Sequence, residues 1–151
     1  PKTPKPLSFE NLNDLTIRGL NFNINLSGQA LLGSNEILEN IQIGYTYIDA
    51  EIPQYSNIIS RYVLENLNHQ LTVNIQHRIV GQLHHNLRLR YLDRASMANY
   101  FVMDTKLFWE AEKYSFYLTI NNLFNESYYE SNLVEMPGLW LFAGIKLKIP
   151  Y

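Results

Sequence analysis

The sequence predicts an all-β protein, part of a transmembrane antiparallel β-barrel, on three observations. Apolar and polar residues alternate with period 2 along seven segments. No segment approaches the roughly 18 consecutive apolar residues of a membrane-crossing helix. The last segment, 141–150, keeps the alternation up to Tyr151, with Leu141, Ala143, Ile145, Leu147 and Ile149 on one face and Phe142, Gly144, Lys146 and Lys148 on the other. A wall with lipid on one side and water on the other requires that pattern, in strands of about 9–11 residues.

Residues 1–13 read as an irregular entry segment or extracellular loop, because Pro1, Pro4 and Pro6 break any ladder. The barrel portion is 14–151. Its first strand, 14–28, turns Leu20, Phe22, Ile24 and Leu26 one way and Asn21, Asn23, Asn25 and Ser27 the other. Such a row of amides is costly in a dry core. The second, 37–49, sets Ile41, Ile43, Tyr45 and Tyr47 against Gln42, Gly44, Thr46 and Ile48. The third, 67–80, sets Leu71, Val73, Ile75, His77 and Ile79 against Gln70, Thr72, Asn74, Gln76 and Arg78. The fourth, 83–93, sets Leu87, Leu89 and Tyr91 against Asn86, Arg88 and Arg90. The fifth, 100–110, sets Phe101, Met103, Leu107 and Trp109 against Asp104, Lys106 and Glu110. The sixth, 114–121, sets Phe116, Leu118 and Ile120 against Ser115, Tyr117, Thr119 and Asn121.

The connections alternate in length. Val80-Gly81-Gln82 and Ala111-Glu112-Lys113 are tight turns, and 29–36 contains Gly33. On the other rim 50–66 and 122–138 are long, and 94–99 is shorter. Short periplasmic turns and longer extracellular loops are the outer-membrane arrangement. No segment reads as a convincing helix; 58–67 comes nearest.

Charged residues make up 17 % of the chain, below the roughly 25 % of a soluble domain. Aromatic residues near strand ends are candidates for interfacial girdles: Tyr45, Tyr47, Tyr91, Tyr100, Phe101, Trp109, Tyr114, Tyr128, Tyr129, Trp140 and Tyr151. A net charge of −2 without a basic run argues against nucleic acid. The absence of cysteine excludes disulfides and thiolate metal sites. Seven strands is an odd number, whereas single-chain bacterial barrels have even counts from about eight upward. The chain is therefore expected to be the C-terminal part of a larger barrel, as an excised fragment, a nicked product or a natural split subunit.

Three segments carry a resemblance. They are Asn99-Tyr100-Phe101-Val102-Met103-Asp104, Asn121-Asn122-Leu123-Phe124-Asn125-Glu126-Ser127-Tyr128-Tyr129, and Pro137-Gly138-Leu139-Trp140-Leu141-Phe142-Ala143-Gly144-Ile145. Together they resemble the C-terminal end of a TonB-dependent outer-membrane receptor. Ile17-Arg18-Gly19-Leu20-Asn21-Phe22 resembles an earlier strand of that family. Leu139 stands where the family pattern usually has Arg. The resemblance implies the C-terminal seven strands of a roughly 22-stranded barrel around a plug. It also implies residence in the bacterial cell outer membrane and active import of a scarce nutrient: a siderophore, haem, cobalamin or glycan. The implied partners are outer-membrane lipid, the remaining strands and plug on a separate or upstream polypeptide, and the TonB-ExbB-ExbD system. The alternatives are a stand-alone small barrel or structural barrel subunit without active transport, and a soluble lipocalin-like binder.

The candidate sites follow from position. Asn121, Asn122, Leu123, Phe124 and Asn125, with Pro137, Gly138 and Tyr151, are expected to be structural, since Asn hydrogen-bonds local backbone where a strand becomes a loop. Tyr128, Tyr129, Asn132, Glu135 and Met136 are loop candidates for an external ligand; Tyr55 and Asn57, with Tyr47, Asp49 and Glu51, border the other long loop. Arg88, Arg90, Asp104 and Lys106 are expected to face a lumen. His69 and His77 are about 26 Å apart along one strand, and His84 and His85 point to opposite faces, so no metal or other cofactor is expected. Asp104 and Glu110, about 20 Å apart, cannot form a paired-carboxylate site. No catalytic constellation is present, and the chain is not expected to be an enzyme.

Overall fold

The computed structural model describes residues 16–33, 37–51, 67–95, 97–131 and 134–148. The readings placed on 1–13, Tyr55, Asn57, 58–66, Asn132 and Tyr151 lie outside these residues.

Seven strands form one antiparallel sheet in chain order: β1 (Thr16–Ser27), β2 (Leu38–Glu51), β3 (Leu67–Val80), β4 (Leu83–Arg94), β5 (Met97–Glu110), β6 (Tyr114–Asn121) and β9 (Trp140–Leu147). Each segment with the period-2 pattern is a strand, and the fold is all-β. Two short pieces go beyond the sequence reading. Helix α1 (Gly28–Leu32) follows β1, and a hairpin of β7 (Tyr129–Ser131) and β8 (Val134–Glu135) lies inside the long 122–138 connection. One boundary also moves. β5 begins at Met97, which pairs with Arg94, so the 94–99 connection is as tight as the turns on the other rim.

Helix α1 forms because Ser27 caps it, accepting from the Ala30 amide at 3.2 Å. Gly33 ends it at φ +68°. Five residues are too few for a helical period to register in the sequence.

The pairing register carries the alternation across the whole sheet. Phe22, Tyr45, Leu71, Tyr91 and Phe101 are successive partners from β1 to β5. Ile24, Ile43, Val73, Leu89 and Met103 form the next row. Nearer the turns, Trp109, Phe116 and Ile145 are partners across β5, β6 and β9. Trp109 stacks on Phe116 at 5.8 Å, with Tyr114 edge-on to both. One face is thus apolar over seven strands, and nothing in the described structure covers it. Leu20 is 72 % exposed and Ile145 64 %.

The opposite face is polar and divided. Across β1–β3 its middle is uncharged: Asn21, Asn23, Asn25, Gln42, Thr46, Gln70, Thr72 and Asn74 border a groove of about 470 Å³. Asn74 donates to Gln42 at 3.4 Å, and Asn86 donates to Asn74 at 2.9 Å. Across β4–β9 it carries charges and rings. Lys106 lies over Phe108 and Tyr117 at 5.8 and 5.6 Å, and His84 stacks on Phe108 at 4.9 Å. A register slip between Leu38 and Asn40 lets Glu39 reach this face. There it accepts from Gln76 at 2.8 Å and pairs with Arg78 and His84 at 3.5 and 2.8 Å.

Among the girdle candidates in the seven-stranded sheet, two fall on the other face. Tyr100 and Trp140 share the polar face with Val102 and Phe142, because each is an odd number of residues from the apolar positions of its strand. Strand parity, not nearness to a strand end, decides the face.

Tyr117 lies across Gly144, its partner on β9, where any Cβ would run into the phenol ring. Gly144→Val is expected to destabilise the protein by about 1–3 kcal/mol through overpacking, read as a lowered denaturation midpoint. The same change in a Tyr117→Ala background should cost less, because the obstructing ring is gone.

Candidate functional site

The buried hydrophobic residues lie on the polar side of the sheet, at the rim of the long loops. Leu92 of β4 and Tyr100 and Val102 of β5 face the chain that leaves β6, and Tyr128 closes over them. Val102 is fully buried, and the Tyr100 and Tyr128 rings are 4.5 Å apart. Leu67 and Met136 pack around this cluster. The 122–138 connection therefore folds inward over the polar face.

Asn122 is the residue that turns it. At 2 % exposure and φ +52° it occupies the left-handed region, which Asn tolerates better than most residues. Its amide N–H donates to Asp104 Oδ1 at 2.9 Å. Its side chain donates to the Glu126 carbonyl and accepts from the Glu126 amide, both at 2.8 Å, and reaches the Pro137 carbonyl at 3.4 Å. One amide group thus closes its own turn and holds the far end of the loop.

Asn125 repeats the device. It has φ +53°, and its Oδ1 accepts from the Leu139 amide at 2.8 Å. Gly138 leaves room for it, since a Cβ there would strike the Asn125 side chain. Leu123 donates its amide to the Met103 carbonyl at 2.7 Å, and Phe124 stacks near Phe101 at 6.4 Å. Asn121 ends β6 opposite Trp140. The Asn-Asn-Leu-Phe-Asn and Pro-Gly segments, 12 residues apart from Asn125 to Pro137, meet in space.

An ionic bridge completes the fold-over. Arg90 of β4 lies 3.3 Å from Glu130 of the β7–β8 hairpin and 3.6 Å from Asp104. Asp104 therefore joins the Asn122 turn to Arg90, and Arg90 joins both to the hairpin. Ser127 hydrogen-bonds Glu135 across the hairpin base, and Met136 donates its amide to the Tyr128 carbonyl at 2.8 Å. Sequence reading placed Arg90 and Asp104 on one face but had no signal for Glu130, whose role depends on the hairpin.

The remaining candidates separate. Tyr128 and Tyr129 border a cleft of about 270 Å³ with Met97, Asn99, Tyr100 and Ser127; Tyr128 is committed to packing, and Tyr129 is exposed. Arg88 and Lys106 lie exposed on the polar face, Arg88 opposite Asp104. Tyr47 is on the apolar side, stacked with His69 at 5.0 Å, while Tyr45 hydrogen-bonds the same His at 2.9 Å. Asp49 is exposed opposite Arg18, and Glu51 ends β2 opposite Thr16. The two long-loop sets therefore do not converge on one pocket among the described residues.

Comparison of the chain with protein families, curated proteins and solved structures finds no match. The geometry alone describes a sheet wall with a loop fastened over its polar face.

Asn122→Ala removes the partners of the Glu126 amide and carbonyl and leaves a Cβ residue at positive φ. It should cost about 2–4 kcal/mol and speed hydrogen exchange at the Glu126 and Met136 amides. Asn122→Asp, which keeps the acceptor and loses the donor, is expected to fall between wild type and Ala.

Proposed function

We infer that the chain forms part of the wall of an outer-membrane β-barrel, with the apolar face against lipid and the polar face lining a lumen. The observation that carries this reading is the uncovered apolar face. Among the described residues, no charged side chain interrupts it between the Phe101 and Trp109 levels. Those aromatics are eight residues apart on β5, about 26 Å along the strand. At a tilt of about 40° the height is roughly 20 Å, close to the apolar band of an outer-membrane barrel. Above the upper row the apolar side turns polar on β3–β5, with His69, Asp93 and Asn99, and one row later on β1 and β2, where Arg18 and Asp49 follow Leu20 and Tyr47. Such a boundary fits a bilayer edge.

The transport reading is narrower and rests on the resemblance in sequence. The wall belongs to a TonB-dependent importer of a scarce nutrient, with further strands and a plug supplied by other polypeptide. Two features support it. The Asn-Asn-Leu-Phe-Asn and Pro-Gly segments fasten a loop inward over the polar face, as needed beside a filled lumen. Neither β1 nor β9 has a second partner strand among the described residues, so both edges remain available for the rest of a barrel.

The two tryptophans test the orientation, because Trp109 is on the apolar face and Trp140 on the polar one. In lipid vesicles, Trp140→Phe should leave a fluorophore strongly quenched by brominated acyl chains. Trp109→Phe should leave one that responds to aqueous acrylamide and little to brominated lipid. Equal responses from both would sink the orientation.

The assembly is tested separately, by the mass of the detergent-solubilised native particle and peptide mapping after denaturation. A large particle holding plug and further barrel polypeptide is expected. A monodisperse closed particle of 17.7 kDa would overturn the importer reading.

A further inference from the structure

Two histidines eight residues apart, on neighbouring strands, meet on the apolar face. His77 of β3 and His85 of β4 are cross-strand partners. His77 Nε2 and His85 Nδ1 are 3.3 Å apart, and the rings stand edge to face, 77° between their planes. The second nitrogen of His85 is also engaged, with Nε2 2.5 Å from Thr105 Oγ1 on β5. Reading the histidines along single strands missed this pair, because the contact is created by register.

The 3.3 Å separation is also the one that a chelate requires. Two nitrogens bound to one tetrahedral ion at about 2.0–2.1 Å lie roughly 3.3–3.4 Å apart. Metal-bound imidazoles ordinarily have their other nitrogen held by a hydrogen bond that fixes the tautomer and ring. Thr105 stands in that position for His85. Without metal, the same two nitrogens share one proton in an N–H···N hydrogen bond, which with Thr105 engages both nitrogens of His85 on an otherwise apolar surface.

We propose that His77 and His85 form a two-nitrogen site for a borderline divalent cation, Cu²⁺ or Zn²⁺, with Thr105 orienting His85. Imidazole donors suit these ions, and Cu²⁺ binds most tightly in the divalent series. Among the described residues no group of three or more His, Cys, Asp or Glu side chains is placed to hold a metal. The ion therefore keeps open positions for water or an exogenous ligand. His85 is paired with Leu107, two residues inside the Trp109 level, so the pair lies about 7 Å along the strand from the edge of the apolar band, the side from which water and the ion would reach it. The other two histidines take no part: His69 is engaged by Tyr45, and His84 points to the opposite face, against Glu39.

The test is calorimetric titration of the folded full chain with Cu²⁺ and with Zn²⁺ in a non-chelating buffer. One saturable ion per chain is expected. His77→Ala or His85→Ala should weaken binding at least tenfold, Thr105→Val by about tenfold or more, and His69→Ala should leave it unchanged. The Cu²⁺ spin-resonance spectrum of the wild type, which needs no variant to fold, should show two coordinating nitrogens. A spectrum with no imidazole nitrogen, absence of saturable binding, or equal affinity in His77→Ala would overturn the proposal. None of these outcomes bears on the importer reading, which rests on the particle's composition.

Discussion

Side-chain alternation is useful only if every neighbouring strand keeps the same phase. A slip of one residue between β3 and β4 would put Arg88 and Arg90 among Val73, Ile75 and Leu71, and move Leu87 and Leu89 against Asn74 and Thr72. The cost of exchanging a charged and an apolar face is large wherever the two faces meet different surroundings. Register is held by the amide contacts of the polar face, by stacked rings such as Trp109 on Phe116, and by tight turns. Gly81, at φ +55°, permits one of those turns. At two of the places where the phase shifts, Leu38/Asn40 and Leu67/His69, a residue that leaves the regular alternation gains a use. Glu39 reaches Arg78 and His84, and Leu67 joins the cluster around Val102.

That cluster gives the sheet its buried interior on the polar side. The usual expectation, that apolar residues collect beneath the apolar face, fails because nothing described packs there. Instead, the inward loop brings its own apolar residues, Tyr128 and Met136, to Leu92, Tyr100 and Val102. Polar fastenings surround these contacts: Asn122 and Asn125 through their side chains, Arg90 through two carboxylates. The loop is thus tied to β4, β5 and β9 at once.

The strands were legible because period 2 is a local signal and persisted for six or more residues in every case. Asn122 and Asn125 could be recognised as structural, since Asn after a strand implies a local hydrogen bond. Their long partners, Asp104 and Leu139, could not be named, because those contacts depend on how β5 and β9 come together. The β7–β8 hairpin was hidden for another reason. Strands of three and two residues are too short to show alternation. Tyr100 illustrates a different failure: an aromatic residue near a strand end suggests an interface, but parity along β5 turns it inward. His77 and His85 lie in different strands, so their contact depended on a register that the sequence does not state.

The divided polar face has a consequence for the solvent beside it. Along β1–β3 the surface offers hydrogen bonds without net charge, so its attraction for a polar solute hardly depends on ionic strength. Along β4–β9, Arg88, Lys106 and Lys146 face the same water, and their influence reaches only about 8–10 Å in physiological salt. A neutral, hydroxyl-rich molecule and a small anion moving past this wall would therefore linger at different strands. Salt would shorten the stay of the anion alone.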